Sequence, residues 1–291
     1  MARCLFLYPN LSDQRRGATP GAELRGGGWI LPLVNAQNRI LSKVARSRSL
    51  LPADTQFDVV FDAYGEIRAI VLVNHNFSPT ARWRLTAWDD DGSYYDHAYQ
   101  VETDVYPTLG YPEDTPFERA NWFDQKPLLQ DLEGFTQNAI HVLPEPRYER
   151  HWRIEVIDEE NEVEYLQFGR LWMATGWQPS HNMAYGSSAL AFDTATTSEA
   201  SMSGAKFFDP CASYRTLSIG FQNLPEQEAL ARGLELMRRA GKHGELFYID
   251  DPDDAENLTR TSFLCHFEEL LPWERVAFER ANIGFRLEEL L

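Results

Sequence analysis

A mainly β chain folded as two units, the second carrying one packed helix, is the architecture this sequence predicts. Three observations point to it. Apolar and polar residues alternate over short runs, as in Trp83, Leu85 and Ala87 against Arg82, Arg84 and Thr86, so that one strand face meets a core and the other meets solvent. Clusters of Gly, Pro, Asn and Asp break these runs at turn-like spacing. The 291 residues, 43% of them hydrophobic, exceed the usual size of one domain and supply apolar surface for two cores.

Taken in order, residues 1–19 read as an N-terminal arm with a strand from Cys4 to Tyr8, and residues 20–177 as the first β unit. The run Gly26-Gly27-Gly28 reads as a flexible hinge; no Gly-Lys-Ser/Thr follows it, which excludes a phosphate-binding loop. FDVVFDAYGEIRAIVLVNHNF sets two apolar runs around Tyr64-Gly65-Glu66, the pattern of a hairpin or a sandwich corner, and Asp90-Asp91-Gly92 closes the next turn. Residues 104–135, with Pro107, Pro112, Pro116, Trp122, Phe123 and Pro127, hold no periodicity and read as a long decorated loop of the kind that carries function. HWRIEVID and VEYLQFGRLWMA supply the strands that close this unit.

Residues 178–213 are rich in Ser, Thr and Ala and read as a linker with an extended polar hairpin. The second unit spans 214–291. Leu217, Ile219 and Phe221 share a strand face, and Asn223 with Glu226 forms a capping-box pair ahead of a helix over 224–240. Leu230, Leu234 and Met237 mark its core side, Arg238, Arg239 and Lys242 complement its negative end, and Gly241 stops it. ELFYIDDPDD, TSFLCHFEEL and NIGFRLEEL are three more strands, the last read as an exposed sheet edge.

The charge limits function. Lys and Arg number 27 against 44 Asp and Glu, a formal charge of -17, which disfavours gripping a phosphate backbone yet suits a carboxylate-lined channel through which a duplex slides. Cys4, Cys211 and Cys265 are too few and too scattered for a disulfide framework and imply free thiols in a reducing cytoplasm. The opening apolar run is cut by Pro9 and Asn10, so neither a signal peptide nor membrane insertion is expected. Seven scattered histidines form no HExxH, and no nucleophile and base stand at a recognised spacing; neither catalysis nor a cofactor is expected. The carboxylate clusters fall at turns. Asp89 and Asp91 are the candidate calcium ligands, although the twelfth loop position is Gln100 where an EF-hand needs Glu. Trp83, Trp152 and Trp172 lie on alternating strand faces and read as core, whereas Trp122, in the long loop, is the candidate contact residue.

FDVVFDAYGEIRAIVLVNHNFSPTARWRLTAWDDDG, followed by HWRIEVIDEENEVEYLQFGRLWM, resembles the discoidin or galactose-binding-like jelly roll, without the bracketing cysteines of its secreted members. Across the whole chain, YPNLSD at 8–13, LVNHNFSP at 72–79, NAIHVLP at 138–144, WQPSHNMAYG at 177–186 and the end from RRAGKHGELFYIDDPDD to FRLEELL resemble the minor or distal tail proteins of long non-contractile-tailed, Mu-like phages. The C-terminal unit is similar to the tail-tube β-sandwich with one packed helix.

That resemblance implies a virion protein made in the host cytoplasm and built into a homo-oligomeric ring at the tail tip, hexameric or trimeric. Its neighbours there are the tail tube protein and the baseplate hub or tail-fibre proteins, with DNA only in transit. Phe285, Leu287 and Leu290, on the final strand, are the ring-interface candidates. The alternative is a carbohydrate-binding module that attaches a virion or an enzyme to a cell-surface glycan.

Overall fold

The structure is a computed structural model and describes residues 4–90, 92–108, 121–123 and 125–291. Asp91, and Pro112 and Pro116 of the expected long loop, lie outside the described residues. The chain is mainly β, and two compact units divide it: one holds Leu7–Gly176 and Pro252–Arg260, the other holds the residues up to Phe6, Trp177–Asp251 and Thr261–Leu291. The first strand, β1 (Leu5–Asn10), runs from one unit into the other.

The first unit contains β2 (Ala22–Arg25), β3 (Trp29–Leu31), β4 (Ala45–Ser47), β5 (Phe57–Phe61), β6 (Ile67–His75), β7 (Arg82–Trp88), β8 (Tyr99–Asp104), β9 (Asn138–Arg147), β10 (His151–Ile157) and β11 (Gln167–Trp177). One antiparallel sheet runs β2-β5-β10-β7-β8. The other pairs β3 with β4, β4 with β11, β11 with β6 and β6 with β9. Successive strands cross repeatedly between the two sheets, which is the winding of a jelly roll. The alternation read from the sequence fills the space between them: Phe57, Val59, Trp83, Leu85, Trp152 and Ile154 from one sheet join Ile70, Leu72, Phe168 and Met173 from the other in one buried cluster. Trp83, Trp152 and Trp172 are all buried, as expected.

Two expectations change here. Residues 10–13 are no loose arm: Asn10 Nδ2 and Ser12 Oγ both donate to the Leu171 carbonyl at 3.0 Å, and the Met173 N–H donates to Asn10 Oδ1 at 3.0 Å. Asp13 meets the wholly buried guanidinium of Arg170 at 2.7 Å, which leaves that cation compensated. The triple glycine is a packed turn and not a hinge. Gly27 has a φ of +68°, and a Cβ there would stand 2.4 Å from Trp29 Nε1 and 2.5 Å from the Gln56 carbonyl, so close approach rather than mobility requires glycine.

The second unit contains β12 (Ala189–Thr194), β13 (Thr197–Ala200), β14 (Lys206–Asp209), β15 (Ser213–Pro225), β16 (Leu246–Ile249), β17 (Phe263–Glu269), β18 (Glu274–Ala277) and β19 (Arg280–Glu289). Its sheet runs β12-β15-β19-β17-β16, β18 adds to β19, and β13 pairs only with β14. β19 is therefore interior and not the expected edge, because β15 takes one side of it and β17 the other.

The helix occupies Glu226–Ala240 with a π-helical stretch at Ala229–Leu234. The π turn rotates the apolar stripe, so Ala229, Gly233, Leu236, Met237 and Ala240 are buried while Leu234 is 40% exposed, which corrects its expected core role. A Cβ on Gly233 would meet Ile283 Cδ1 at 2.7 Å; that close approach is what seats the helix on β19. The capping box does not form. Asn223 sits at a bulge of β15 with a φ of 60°, the N-cap is Pro225, and the Glu226 N–H donates instead to the Glu279 carbonyl at 3.0 Å.

Candidate functional site

The antiparallel registers place two sets of loops at opposite ends of the jelly roll. His75, Arg82, Asp104, Asn138, Ile157 and Gln167 mark one end; Phe61, Ile67, Trp88, Tyr99, Arg147 and His151 mark the other.

The first end holds a groove of about 610 Å³ whose walls include Phe77, Thr80, Asn121, Lys126, Asn161 and Tyr165. Its polar side chains are largely engaged with the backbone and carboxylates of the surrounding loops. Asn76 Nδ2 donates to the Tyr165 carbonyl at 3.0 Å and its Oδ1 accepts from the Gln167 N–H at 2.8 Å. Asn161 Nδ2 donates to the Asn76 carbonyl at 2.8 Å and to Asp158 at 2.9 Å, and Lys126 Nζ meets Asp104 and the Tyr106 carbonyl, each at 2.7 Å. Among the described residues, Asn121 Oδ1 is buried without a hydrogen-bond partner. Behind Phe77, burial holds His75 well below the usual histidine range, at about 3. Its Nδ1 accepts the Phe77 N–H at 3.1 Å, so the neutral ring carries its proton on Nε2, which has no partner among the described residues.

At the other end Arg150 ties three loops together. Its Nη1 meets Asp90 at 2.5 Å, its Nε and Nη2 donate to the Phe61 carbonyl at 3.1 and 3.0 Å, and its guanidinium lies 5.6 Å from the Tyr64 ring centre. His151 Nε2 is 2.7 Å from Asp90, and its ring stacks on Trp88 at 5.7 Å and 9°. The hydrogen bond from His151 and the charge of Arg150 lower the Asp90 pKa. Trp88 meets Tyr94 edge-on at 6.2 Å and Tyr94 meets Tyr95 at 5.4 Å; Tyr95 is 92% exposed, and Tyr64 and Tyr148 are exposed too.

In the second unit, every residue of β12, β13 and β14 is exposed, among them Leu190, Phe192, Phe207 and Phe208. Cys211, the exposed thiol, lies two residues beyond β14. Cys4 and Cys265 are buried, which raises both thiols and leaves them inert.

The sequence-predicted site residues do not converge. Asp89 Oδ1 accepts the Arg150 N–H at 3.3 Å and its carbonyl accepts the Gly92 N–H at 2.9 Å, so the turn itself occupies it; Asp91 lies outside the described residues. Among the described residues no three metal-ligating side chains converge. Trp122 is half-buried beside the Asn121 wall of the groove. Phe285 and Leu287 are wholly buried, Phe285 amid Phe6, Trp177, Phe221 and Phe267 at 5.2 to 6.2 Å, and neither is available to a neighbouring subunit. Leu290 is half-buried and its N–H donates to the Leu264 carbonyl at 2.9 Å. Sequence reasoning missed Arg150, whose partners lie 60 and 89 residues away in the chain. The signal available for that end was the density of Tyr, Asp and Gly in 62–66 and 88–99. Among the described residues no helix is long and apolar enough to cross a membrane.

No protein-family model and no curated protein matches the chain. Among solved structures it is similar to CBM32-1 from a family 31 glycoside hydrolase of Clostridium perfringens, at 12% identity and a TM-score of 0.35, over 58% of this chain and 99% of that one. It is also similar to the family 32 carbohydrate-binding module of Streptococcus pneumoniae EndoD, at 14% identity and a TM-score of 0.32, over 57% of this chain and 98% of that one. Scores of this size assign neither a ligand nor an activity, and the β architecture rests on the strand pairing given above.

Proposed function

We propose that this protein is a non-catalytic assembly component, a phage tail-tip protein that closes into a homo-oligomeric ring and joins the tail tube to the baseplate hub or fibres. The observation that carries the reading is the β12–β14 strand system. A two-stranded hairpin with no residue buried is marginal in water, and exposed Phe207 and Phe208 add an apolar surface that a neighbour would cover. The expected interface therefore moves from β19 to residues 189–209. The charge of -17 fits a channel that DNA crosses without adhering. Native mass spectrometry across a concentration series tests this. The full chain is expected to form closed rings of six or three copies, and a chain with 195–210 replaced by Gly-Gly is expected to remain monomeric. A persistent monomer of the full chain, within assembled tails as well as in solution, would remove the reading.

A second reading, attachment to a glycan, is favoured by one observation: the jelly roll presents exposed aromatic rings beside carboxylates on its loops, the pairing that stacks on sugar rings and accepts hydroxyl hydrogen bonds. The two readings are compatible, since one concerns the second unit and the other the first. Binding to immobilised oligosaccharides checks it directly.

A further inference from the structure

The attachment reading leaves open which end of the jelly roll would bind and what kind of glycan. We propose that the Arg150-centred end, and not the groove, is a recognition surface for neutral saccharides. The inference rests on the attachment reading. The groove, of about 610 Å³, spends the hydrogen bonds of Asn76, Asn161 and Lys126 on its own loops and leaves Asn121 Oδ1 without a partner among the described residues.

The charged groups of the opposite end are engaged as well, and what distinguishes that end is its exposed aromatic surface. Arg150 and His151 satisfy Asp90 and in doing so fix the three loops, while the rings of Tyr64, Tyr95 and Tyr148 stay exposed. Exposed tyrosine offers large contact area at low entropic cost. A chain of contacts links these rings: Tyr64 lies against Arg150, Arg150 and His151 share Asp90, His151 stacks on Trp88, and Trp88 leads through Tyr94 to Tyr95.

Charge decides the ligand class. The cation of Arg150 is already matched by Asp90, whereas Asp62, Glu66 and Asp96 lie on the same loops, and Glu66 raises the pKa of Tyr148. Such a surface repels carboxylated or phosphorylated sugars and accepts hydrogen bonds from uncharged hydroxyls.

Affinity electrophoresis of the full chain against chitohexaose, maltohexaose and galactan supports, with polygalacturonate as the anionic probe, tests the inference. Retention on at least one neutral support is expected, and none on polygalacturonate. Tyr95→Ala is expected to weaken that retention several-fold and Tyr64→Ala/Tyr95→Ala at least tenfold, with unchanged melting temperatures because both rings are exposed. A groove variant, Thr80→Ala/Val163→Ser, is expected to bind as the parent does. Neutral binding lost in the groove variant and kept in the tyrosine variants would overturn this inference and leave the attachment reading standing. Preferential binding to polygalacturonate would overturn the charge argument. Retention on none of the four would remove both the inference and the attachment reading.

Discussion

Within the second unit, β15 with β19 and β13 with β14 are both antiparallel pairs, and they are held by different means. Between β15 and β19, Arg215 is fully buried and forks onto Glu289, with Nε 2.8 Å from Oε2 and Nη2 2.5 Å from Oε1, while Phe263 lies 4.8 Å over its guanidinium. Two charges taken out of water in that geometry form a unit whose halves cannot be removed separately without leaving an uncompensated ion. In the β13–β14 pair no side chain is buried, and the ladder of Thr197 to Ala200 against Lys206 to Asp209 supplies backbone hydrogen bonds alone. One pair is complete in the single chain. The other has the geometry of a strand pair without the burial that normally sustains one, and the difference locates where a partner would contribute.

The comparison breaks most visibly at the buried pair. Glu289→Ala is expected to cost about 3–5 kcal/mol, read as a fall in the denaturation midpoint, because it strands the Arg215 guanidinium. The double change Arg215→Met/Glu289→Leu is expected to recover most of that loss; a double variant no more stable than the single one would mean that the pair does more than compensate itself. It follows that deleting 283–291 would remove an interior strand and unfold this unit, so that truncation tests stability and not edge pairing.

A smaller effect separates the two sides of the helix. Leu236→Ala is expected to cost about 2–5 kcal/mol and Leu234→Ala less than about 1 kcal/mol, since the first side chain is 8% exposed and the second 40%. Equal costs in urea unfolding would mean that the π turn does not set the buried stripe. The smallest effect on the single chain falls on the hairpin: Phe207→Ser/Phe208→Ser is expected to leave monomer stability within about 0.5 kcal/mol while lowering the population of higher oligomers. Loss of monomer stability with oligomers retained would invert the contrast between the two strand pairs. Cys211 offers an independent reading of the same contrast, because a bifunctional maleimide is expected to join copies through that exposed thiol and to spare buried Cys4 and Cys265.

Local pattern alone determined much of this protein. Alternation at Trp83, Leu85 and Ala87 and at Trp152, Ile154 and Val156 required buried faces, and those faces form the jelly-roll core, because a period of two leaves a strand one way to hide its apolar residues. The strands at Leu217–Phe221 and Phe263–Phe267 and the helix stop at Gly241 were legible for the same reason. Only the tertiary structure decided whether NIGFRLEEL stands at an edge or in the interior, since its alternation is the same in both places and only the pairing shows that β15 and β17 flank it on its two sides. The rotation of the helix stripe away from Leu234 came from the π turn, which no side-chain periodicity announces. The Arg150 junction was beyond sequence reading as well: an arginine beside a histidine reads as solvated charge until folding brings Asp90, Phe61 and Tyr64 to it, and what a side chain can bind is set by which of its hydrogen bonds its own fold has already taken.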